Sequence, residues 1–458
     1  MNDARIEELV RKILADNAAP PRKNGICLGT DEAVAYSKKA YSLYAALRLE
    51  DRKRVIESLK RDILPHVAEI AMMNVEETSL GNVDDKIVKI NLALEKTPGV
   101  EDLITEAQTG DEGMTLSELS PWGIICAVHP CTNPCATLIN NTIGMLAAGN
   151  AVIHIPHPRA SGVTKYLAGL ISDSIFNSCG IENLALTFAE SSMAKADELM
   201  AHPDIQMIVV TGSTDVLQKA LRSGKKVIGA GPANPVAIID STADIDKAAK
   251  DIVTGASFDG NVMCVTEKSV VAVGNIADRF IRIMRLHGAK VLRNDAEIQS
   301  LREAAINFDR MPNKTLEGKD AVTILERSGI GYAGKPKVIL FETNKEDPFV
   351  TSEIMMPVLP IVRVRNFEEA VDRALEIEQG FRHTATLHSK DIEHLNYAAK
   401  AMQTSVFVKN ASSLKGIGMD AVCGTSFTIA TATGEGITTA RDFARRRRCV
   451  LDQCFSIR

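Results

Sequence analysis

The chain has 458 residues, 45% of them hydrophobic and 24% charged, with 53 Lys and Arg against 58 Asp and Glu for a net charge of −5. This is ordinary globular composition for about two or three domains, and it excludes a disordered, collagen-like or coiled-coil protein. The slight negative charge and an aromatic content of only 4% also exclude a basic, base-stacking surface for nucleic acid.

Residues 1–19 stand apart. Ile6, Leu9, Val10, Ile13 and Leu14 recur at i, i+3, i+4, i+7 and i+8, which places them on one stripe of a short helix. Asp3, Glu7, Glu8, Arg11, Lys12 and Asp16 fill the other face, and Asn17-Ala18-Ala19-Pro20-Pro21 ends the helix in a linker. Such a stripe packs back on its own domain or docks in a partner's groove, and the residues leave both open. The charges within residues 1–18 leave no apolar signal-peptide segment. Nine cysteines, an odd number without zinc spacing, point to reduced thiols in a cytoplasmic protein, with no disulfide framework and no metal site.

Residues 31 to about 95 read as helical, with spacing that predicts Glu32–Leu47, Arg52–Asp62 and Pro65–Leu80. The longest run without Asp, Glu, Lys or Arg, Leu119 to Pro158, is broken by prolines, asparagines and Gly149. It reads as buried α/β core, not as a membrane span. From Gly123 strands alternate with helices. The predicted strands are Gly123–Val128, Ala151–Ile155, Ala185–Phe188, Gln206–Val210 and Lys226–Gly229. Helices are predicted over Ala136–Ala148, Ser161–Asn177, Met193–Ala201 and Ser213–Ser223. This pattern indicates a parallel, doubly wound sheet. A second α/β block opens near Pro235, with strands Val236–Ile239, Ser269–Val273, Val338–Phe341, Ile361–Arg365, Ala385–His388 and Val406–Val408. Its predicted helices are Asp244–Ala256, Ile276–His287, Phe367–Glu378 and Asp391–Met402. The run Arg445–Arg448 reads as a solvated or salt-bridged surface.

Four features can carry chemistry. Thr211-Gly212-Ser213 joins a strand to a helix start, where free amides and a hydroxyl suit a pyrophosphate, although a plain turn has the same residues. Cys264 follows the turn Phe258-Asp259-Gly260-Asn261 and is either a nucleophile or a buried structural thiol. His129-Pro130-Cys131-Thr132-Asn133-Pro134 follows a predicted strand, and its Thr, Asn or amides can hold an oxyanion if it is more than a rigid turn. Downstream, Glu353 can grip a ribose diol and His383 can act as acid or base, or both are structural.

Taken together these segments resemble the aldehyde dehydrogenase superfamily, from about Asp31 onward, and more narrowly its CoA-acylating propionaldehyde/acetaldehyde dehydrogenases of bacterial microcompartments. The resemblance rests on Pro130 through Pro134, Ala147-Ala148-Gly149-Asn150, Pro156-His157-Pro158, Thr211-Gly212-Ser213, Gly229 through Asn234, Phe258 through Cys264, Ser352-Glu353, Phe381 through Ala385 and Thr433 through Gly436. It implies an α/β aldehyde dehydrogenase-like fold of two doubly wound Rossmann-type domains and a β-strand oligomerisation arm. A nucleotide-binding domain over 20–232, with a return of chain near 411–440, is expected beside a catalytic domain over 233–410. Segments 111–126 and 441–458 form the arm of a homodimer or homotetramer.

The resemblance also assigns roles. Cys264 is the nucleophile, Thr132, Asn133 and the Cys264 amide hold the oxyanion, and His383 helps deprotonate an incoming thiol. Thr211, Gly212 and Ser213 meet the dinucleotide pyrophosphate, and Glu353 holds the nicotinamide ribose. Hydrolytic members carry a water-activating glutamate in the segment occupied here by Gly229, Ala230, Gly231 and Pro232. Gly229 stands in its place, so a thiol such as CoA takes the acyl group. Ile155, Pro156 and His157 replace the Lys and Glu that bind an adenosine ribose, which fits a pocket taking NAD, with NADP less expected, and then CoA as co-substrate. Residues 1–19 resemble the encapsulation peptides of this branch, with microcompartment shell or cargo proteins as partners.

Overall fold

A computed structural model of the chain describes residues 24–453. The stripe of Ile6, Leu9, Val10, Ile13 and Leu14, and the chain beyond Gln453, lie outside the described residues.

Strand β1 (Ile26–Cys27) leads into α1 (Thr30–Tyr44), α2 (Leu49–Ile63), α3 (Val67–Thr78) and α4 (Val83–Lys96). Helix α4 adds to the three helices that the spacing predicts. It starts on Asn82, whose Oδ1 accepts the Asp85 N–H at 2.9 Å and so satisfies one free amide of the first turn. A hairpin of β2 (Glu106–Gly110) and β3 (Gly113–Pro121) follows.

The first parallel sheet is then laid down as β4 (Ile124–Val128), α5 (Pro134–Ala147), β5 (Ala151–Ile155), α6 (Ser161–Cys179), β6 (Ala185–Phe188), α7 (Met193–Ala201), β7 (Ile205–Thr211), α8 (Thr214–Leu221) and β8 (Lys226–Ala230). Its order is β1-β6-β5-β4-β7-β8. Side chains alternate between two cores, with Ile125, Ala127 and Val209 on one face and Ile124, Cys126 and Val210 on the other. Burial on both faces is why these strands read as unbroken apolar runs. The winding direction reverses between β4 and β7, so a crevice opens beyond their carboxyl ends, where ligands bind in such sheets.

The second sheet is built from β9 (Val236–Ile239), α9 (Ile245–Ser257), β10 (Ser269–Val273), α10 (Gly274–Leu286), β11 (Ala289–Val291), α11 (Asp295–Ala305), α12 (Ala321–Arg327), β12 (Val338–Thr343), α13 (Pro348–Thr351), β13 (Val358–Val364), α14 (Phe367–Glu378), β14 (Thr384–His388), α15 (Ile392–Met402) and β15 (Val406–Lys409). All are parallel in the order β11-β12-β13-β10-β9-β14-β15. The chain then returns to the first sheet. The pair β16 (Ile429–Ala430) and β17 (Gly436–Ile437) lies near β8, and Asn140 Oδ1 accepts the Phe427 N–H at 3.1 Å. Strand β18 (Ala444–Asp452) pairs antiparallel with β3, from Ala444 opposite Pro121 to Asp452 opposite Gly113. Residues 124–126, expected in the arm, instead belong to β4, so the arm strand stops at Pro121. Arg445–Arg448 run along β18 as exposed side chains.

Among the described residues no helix is long and apolar enough to cross a membrane. No group of three or more His, Cys, Asp and Glu there is placed to hold a metal ion. The eight described cysteines are free thiols.

Candidate active site

Two loops meet at the carboxyl end of the first sheet. One follows β4 and holds Thr132 and Asn133. The other follows β7 and holds Thr211, Gly212 and Ser213. Gly212 has φ +116, and a Cβ there would sit 3.0 Å from Pro130 Cβ, so glycine is what lets the loops touch. Thr211 Oγ1 pairs with Thr428 Oγ1 at 2.7 Å, which ties the returning chain to this edge. Ser213 is the N-cap of α8, and its hydroxyl accepts the Val216 N–H at 3.4 Å. The Ser213 side chain is therefore engaged as a cap, and the amides of the first turn are what remain for a phosphate.

At the end of β5, Ile155 and Pro156 are buried and His157 is half-buried. His157 Nδ1 accepts the Arg159 N–H at 3.1 Å. Burial, with Arg159 and Lys314 nearby, lowers its pKa, so it stands as a neutral ring. The Ala147–Asn150 segment serves the fold. Asn150 Oδ1 accepts from the Trp122 and Gly123 amides, and Nδ2 donates to the Met145 and Phe443 carbonyls.

Gly229 lies within β8, and its amide donates to Thr433 Oγ1 at 2.9 Å. A Cβ built there would run into Leu217 Cδ1 of α8. A side chain at position 229 would thus point into the packing between sheet and helix. Gly231 lies against Thr431 and Ala432. What stands is the segment as a whole: Gly229, Ala230, Gly231 and Pro232 bring no carboxylate.

The remaining groups come from the amino ends of three strands of the second sheet, β13 and β10 side by side and β14 beyond β9. Cys264 precedes β10, Glu353 precedes β13 and His383 precedes β14. The half-buried Cys264 sits on a turn closed by Lys268, whose buried ammonium donates to Asn261 O (2.5 Å), Asn261 Oδ1 (2.7 Å), Met263 O (3.1 Å) and Thr266 Oγ1 (3.3 Å). The charge of Lys268 bears on Cys264, Glu353 and His383 alike, so all three lie within its electrostatic reach. Burial, and next the Glu353 charge, push the Cys264 thiol up to about 12, against the pull of Lys268, of its own backbone N–H and of Lys89. Glu353, which accepts from the Ala233 amide, is raised by burial. His383 is held by two bonds: Glu378 Oε1 accepts its N–H at 2.9 Å, and its Nδ1 pairs with Thr384 Oγ1 at 2.8 Å. Burial lowers its pKa to about 4, so it is neutral, and in the tautomer in which Nδ1–H donates to Thr384, Nε2 is left as a base.

Asn133 is buried and its Oδ1 accepts from Lys89 Nζ at 2.5 Å; the Thr132 carbonyl accepts from Lys86 Nζ at 3.1 Å. These lysines, with Lys268 and Glu378, are site residues the sequence reading missed. A lysine on an apolar helix face carries no pattern that announces burial.

A half-buried thiol and a neutral histidine, with the Thr132–Asn133 loop at the crevice of a doubly wound sheet, are the parts of a thiol-dependent enzyme. Residues 29–425 match the model of the aldehyde dehydrogenase family, and the chain belongs to that family. It is 46% identical, over the whole length of both chains, to propanal dehydrogenase (CoA-propanoylating) of Citrobacter freundii. The crystal structure of Rhodopseudomonas palustris propionaldehyde dehydrogenase with bound CoA and an acylated cysteine is similar in fold, with a TM-score of 0.94 at 43% identity over 95% of this chain and 100% of that one. A propionaldehyde dehydrogenase from the Clostridium phytofermentans fucose utilisation bacterial microcompartment gives 0.93 at 40% identity, over 95% and 100%.

Proposed function

We propose that this chain oxidises a short aldehyde, propionaldehyde or acetaldehyde, to its CoA thioester: aldehyde + NAD⁺ + CoA ⇌ acyl-CoA + NADH + H⁺. The observation that carries the reading is a half-buried thiol, Cys264, on the turn that Lys268 closes, with Glu353 and the neutral ring of His383 in reach of the same charge. The full-length likeness to CoA-acylating relatives supports it.

Cys264 Sγ attacks the aldehyde carbon and forms a thiohemiacetal. The oxygen that gains charge is met by Asn133 Nδ2 and the Cys264 amide. The crevice fits a dinucleotide, because Gly212 lets the loops after β4 and β7 close on each other at its edge and the first turn of α8 starts there. Thr211, Gly212, the α8 amides and Glu353 would hold NAD, whose nicotinamide supplies the two-electron acceptor that turns the thiohemiacetal into a thioester. His383 Nε2 takes the proton from the CoA thiol. The CoA sulfur then attacks the acyl carbon, and Cys264 leaves as thiolate. Ile155, Pro156 and His157 form an adenosine pocket that serves NAD and CoA in turn, so the kinetics are ping-pong. With no acid in Gly229–Pro232 to activate water, hydrolysis should run about 10²–10⁴ slower than with a general base.

The residue 6–14 stripe is assigned to docking on microcompartment shell or cargo proteins, in keeping with the Clostridium relative. Residues 441–453 and the β2–β3 hairpin are assigned to a homodimer or homotetramer interface.

The test is NADH formation from propionaldehyde with and without CoA. Steady turnover is expected only with CoA, a burst of one equivalent without it, and neither in Cys264→Ala. Full-speed NADH and free acid in thiol-free buffer would refute the reading. Removing residues 1–18 should leave this activity and abolish co-purification with shells; loss of both contradicts the docking assignment.

A further inference from the structure

Helix α4 turns two lysines inward. Lys86 and Lys89 are each 1% exposed, and the chemistry above uses neither. Both donate to one oxygen, Asp259 Oδ2, Lys86 at 2.9 Å and Lys89 in a shorter contact. Asp259 Oδ1 accepts the Asn82 N–H at 3.2 Å, and the Asp259 N–H donates to Asp85 Oδ2 at 2.7 Å. Gly81, at φ +70, makes room for this carboxylate; a Cβ there would overlap Asp259 Oδ1. The nucleophile segment is thereby clamped to the start of α4.

Two ammonium groups against one carboxylate leave a positive charge over, and a buried charge must find hydrogen bonds. The oxyanion loop supplies them. Lys86 donates to the Thr132 carbonyl and Lys89 to Asn133 Oδ1. An ammonium has no acceptor, so the second bond fixes the amide, with Oδ1 on Lys89 and Nδ2 on the opposite side. Asn133 is the N-cap of α5, where an asparagine oxygen ordinarily accepts from the first turn, yet it makes no cap bond. Its oxygen is committed to Lys89 instead.

We propose that Lys89 is the positioning residue of the acylation step: it locks the Asn133 amide so that Nδ2 faces the forming oxyanion, and it polarises that amide through a charge-assisted bond. This rests on the reading of Asn133 as oxyanion donor. Two further facts agree with it. Burial and the neighbouring Lys86 lower the Lys89 pKa, and the Asp259 carboxylate opposes them in favour of the ammonium. The clamp and the amide share one ammonium, so the two loops are set relative to each other by a single group.

The experiment compares Lys89→Met, Asn133→Ala and the double variant by two readouts. One is the CoA-free NADH burst. The other is alkylation of Cys264 by iodoacetamide, in which sulfur displaces iodide from an sp³ carbon and no oxyanion forms. Asn133→Ala should slow the burst about 10²-fold, and Lys89→Met about 10- to 100-fold. The double variant should match Asn133→Ala within about threefold, because Lys89 acts through Asn133. Alkylation should stay within about threefold of wild type throughout. A full-speed burst in Asn133→Ala overturns the oxyanion reading itself. A slow burst there with a normal one in Lys89→Met, or losses that multiply in the double variant, overturns the positioning role. Loss of alkylation along with the burst in Lys89→Met makes Lys89 merely structural and overturns it too. If Lys89→Met does not fold, Lys89→Gln, which keeps a neutral donor, carries the comparison with an expected loss of about tenfold.

Discussion

The sulfur of Cys264 stands between opposing influences. Burial and Glu353 favour the thiol, while Lys268, Lys89 and the cysteine's own amide favour the thiolate. The first pair wins and places the pKa at about 12, which leaves little thiolate at neutral pH in the free enzyme. Reactivity must therefore come with a proton acceptor or with neutralisation of Glu353, whose own pKa is raised by burial. In the ligand-free enzyme, iodoacetamide alkylation of Cys264 should still be climbing at pH 10. A plateau below pH 8 contradicts this. The His383 ring, tied through Nδ1 to Thr384, is neutral in the ligand-free enzyme at neutral pH, because burial lowers its pKa to about 4.

The turn from Asn261 to Lys268 is the element on which this chemistry rests. Four oxygens converge on Lys268, three of them within Asn261 and Met263. Lys268→Met leaves the Asn261 carbonyl without its donor, while Asn261 Oδ1 and the Met263 carbonyl keep Thr266, a loss of about 2 kcal/mol. The urea midpoint should fall accordingly, and an unchanged midpoint would show that the turn is held by other means. Elements of this kind were unevenly legible in the sequence. The strands were plain, because burial on both faces leaves apolar runs such as Ile124–Val128. Cys264, Asn133, Glu353 and His383 were marked as candidates by their local patterns, and the family resemblance alone gave them roles. Helix α4 fell inside the segment read as helical but was not marked off, because Lys86 and Lys89 occupy its inward face and hydrophobic periodicity assigns lysines to solvent. Their partner Asp259 lies 170 residues from Lys89, a pairing no local pattern reveals. The direction of Gly229 was hidden as well: its place in the chain was readable, but the contact with Leu217 depends on which face of β8 it occupies.

At the scale of the whole molecule, the two sheets share an acid-sensitive interior. His129 and His154 lie in the first sheet, with His129 Nε2 2.8 Å from His154 Nδ1 and His154 Nε2 3.1 Å from Thr142 Oγ1. The facing ring nitrogens can share only one hydrogen, so the pair is stable only while neutral. His383 and His388 lie in the second sheet. Burial lowers His129 to about 3, His383 and His388 to about 4, and His154 well below its ordinary value. In the unfolded chain each titrates near 6.5. A depressed folded pKa means that the stability is present above about pH 6.5 and is lost as pH falls toward 4. Glu267 works the other way: buried and raised to about 7, it keeps its proton in the fold and gives it up on unfolding; burial shifts Glu317, Glu353, Glu378 and Asp442 in the same direction. Unfolding at pH 5.5 should then take up about two protons net, a slope of roughly 3 kcal/mol per pH unit. Melting temperature should drop steeply from pH 7 to pH 5, and His388→Gln should make the drop shallower by about one proton's worth. Because histidines of both kinds of sheet position contribute, the two halves should lose stability over the same pH range. A melting temperature that stays level from pH 7 to pH 5 would mean that these rings gain charge inside the folded protein.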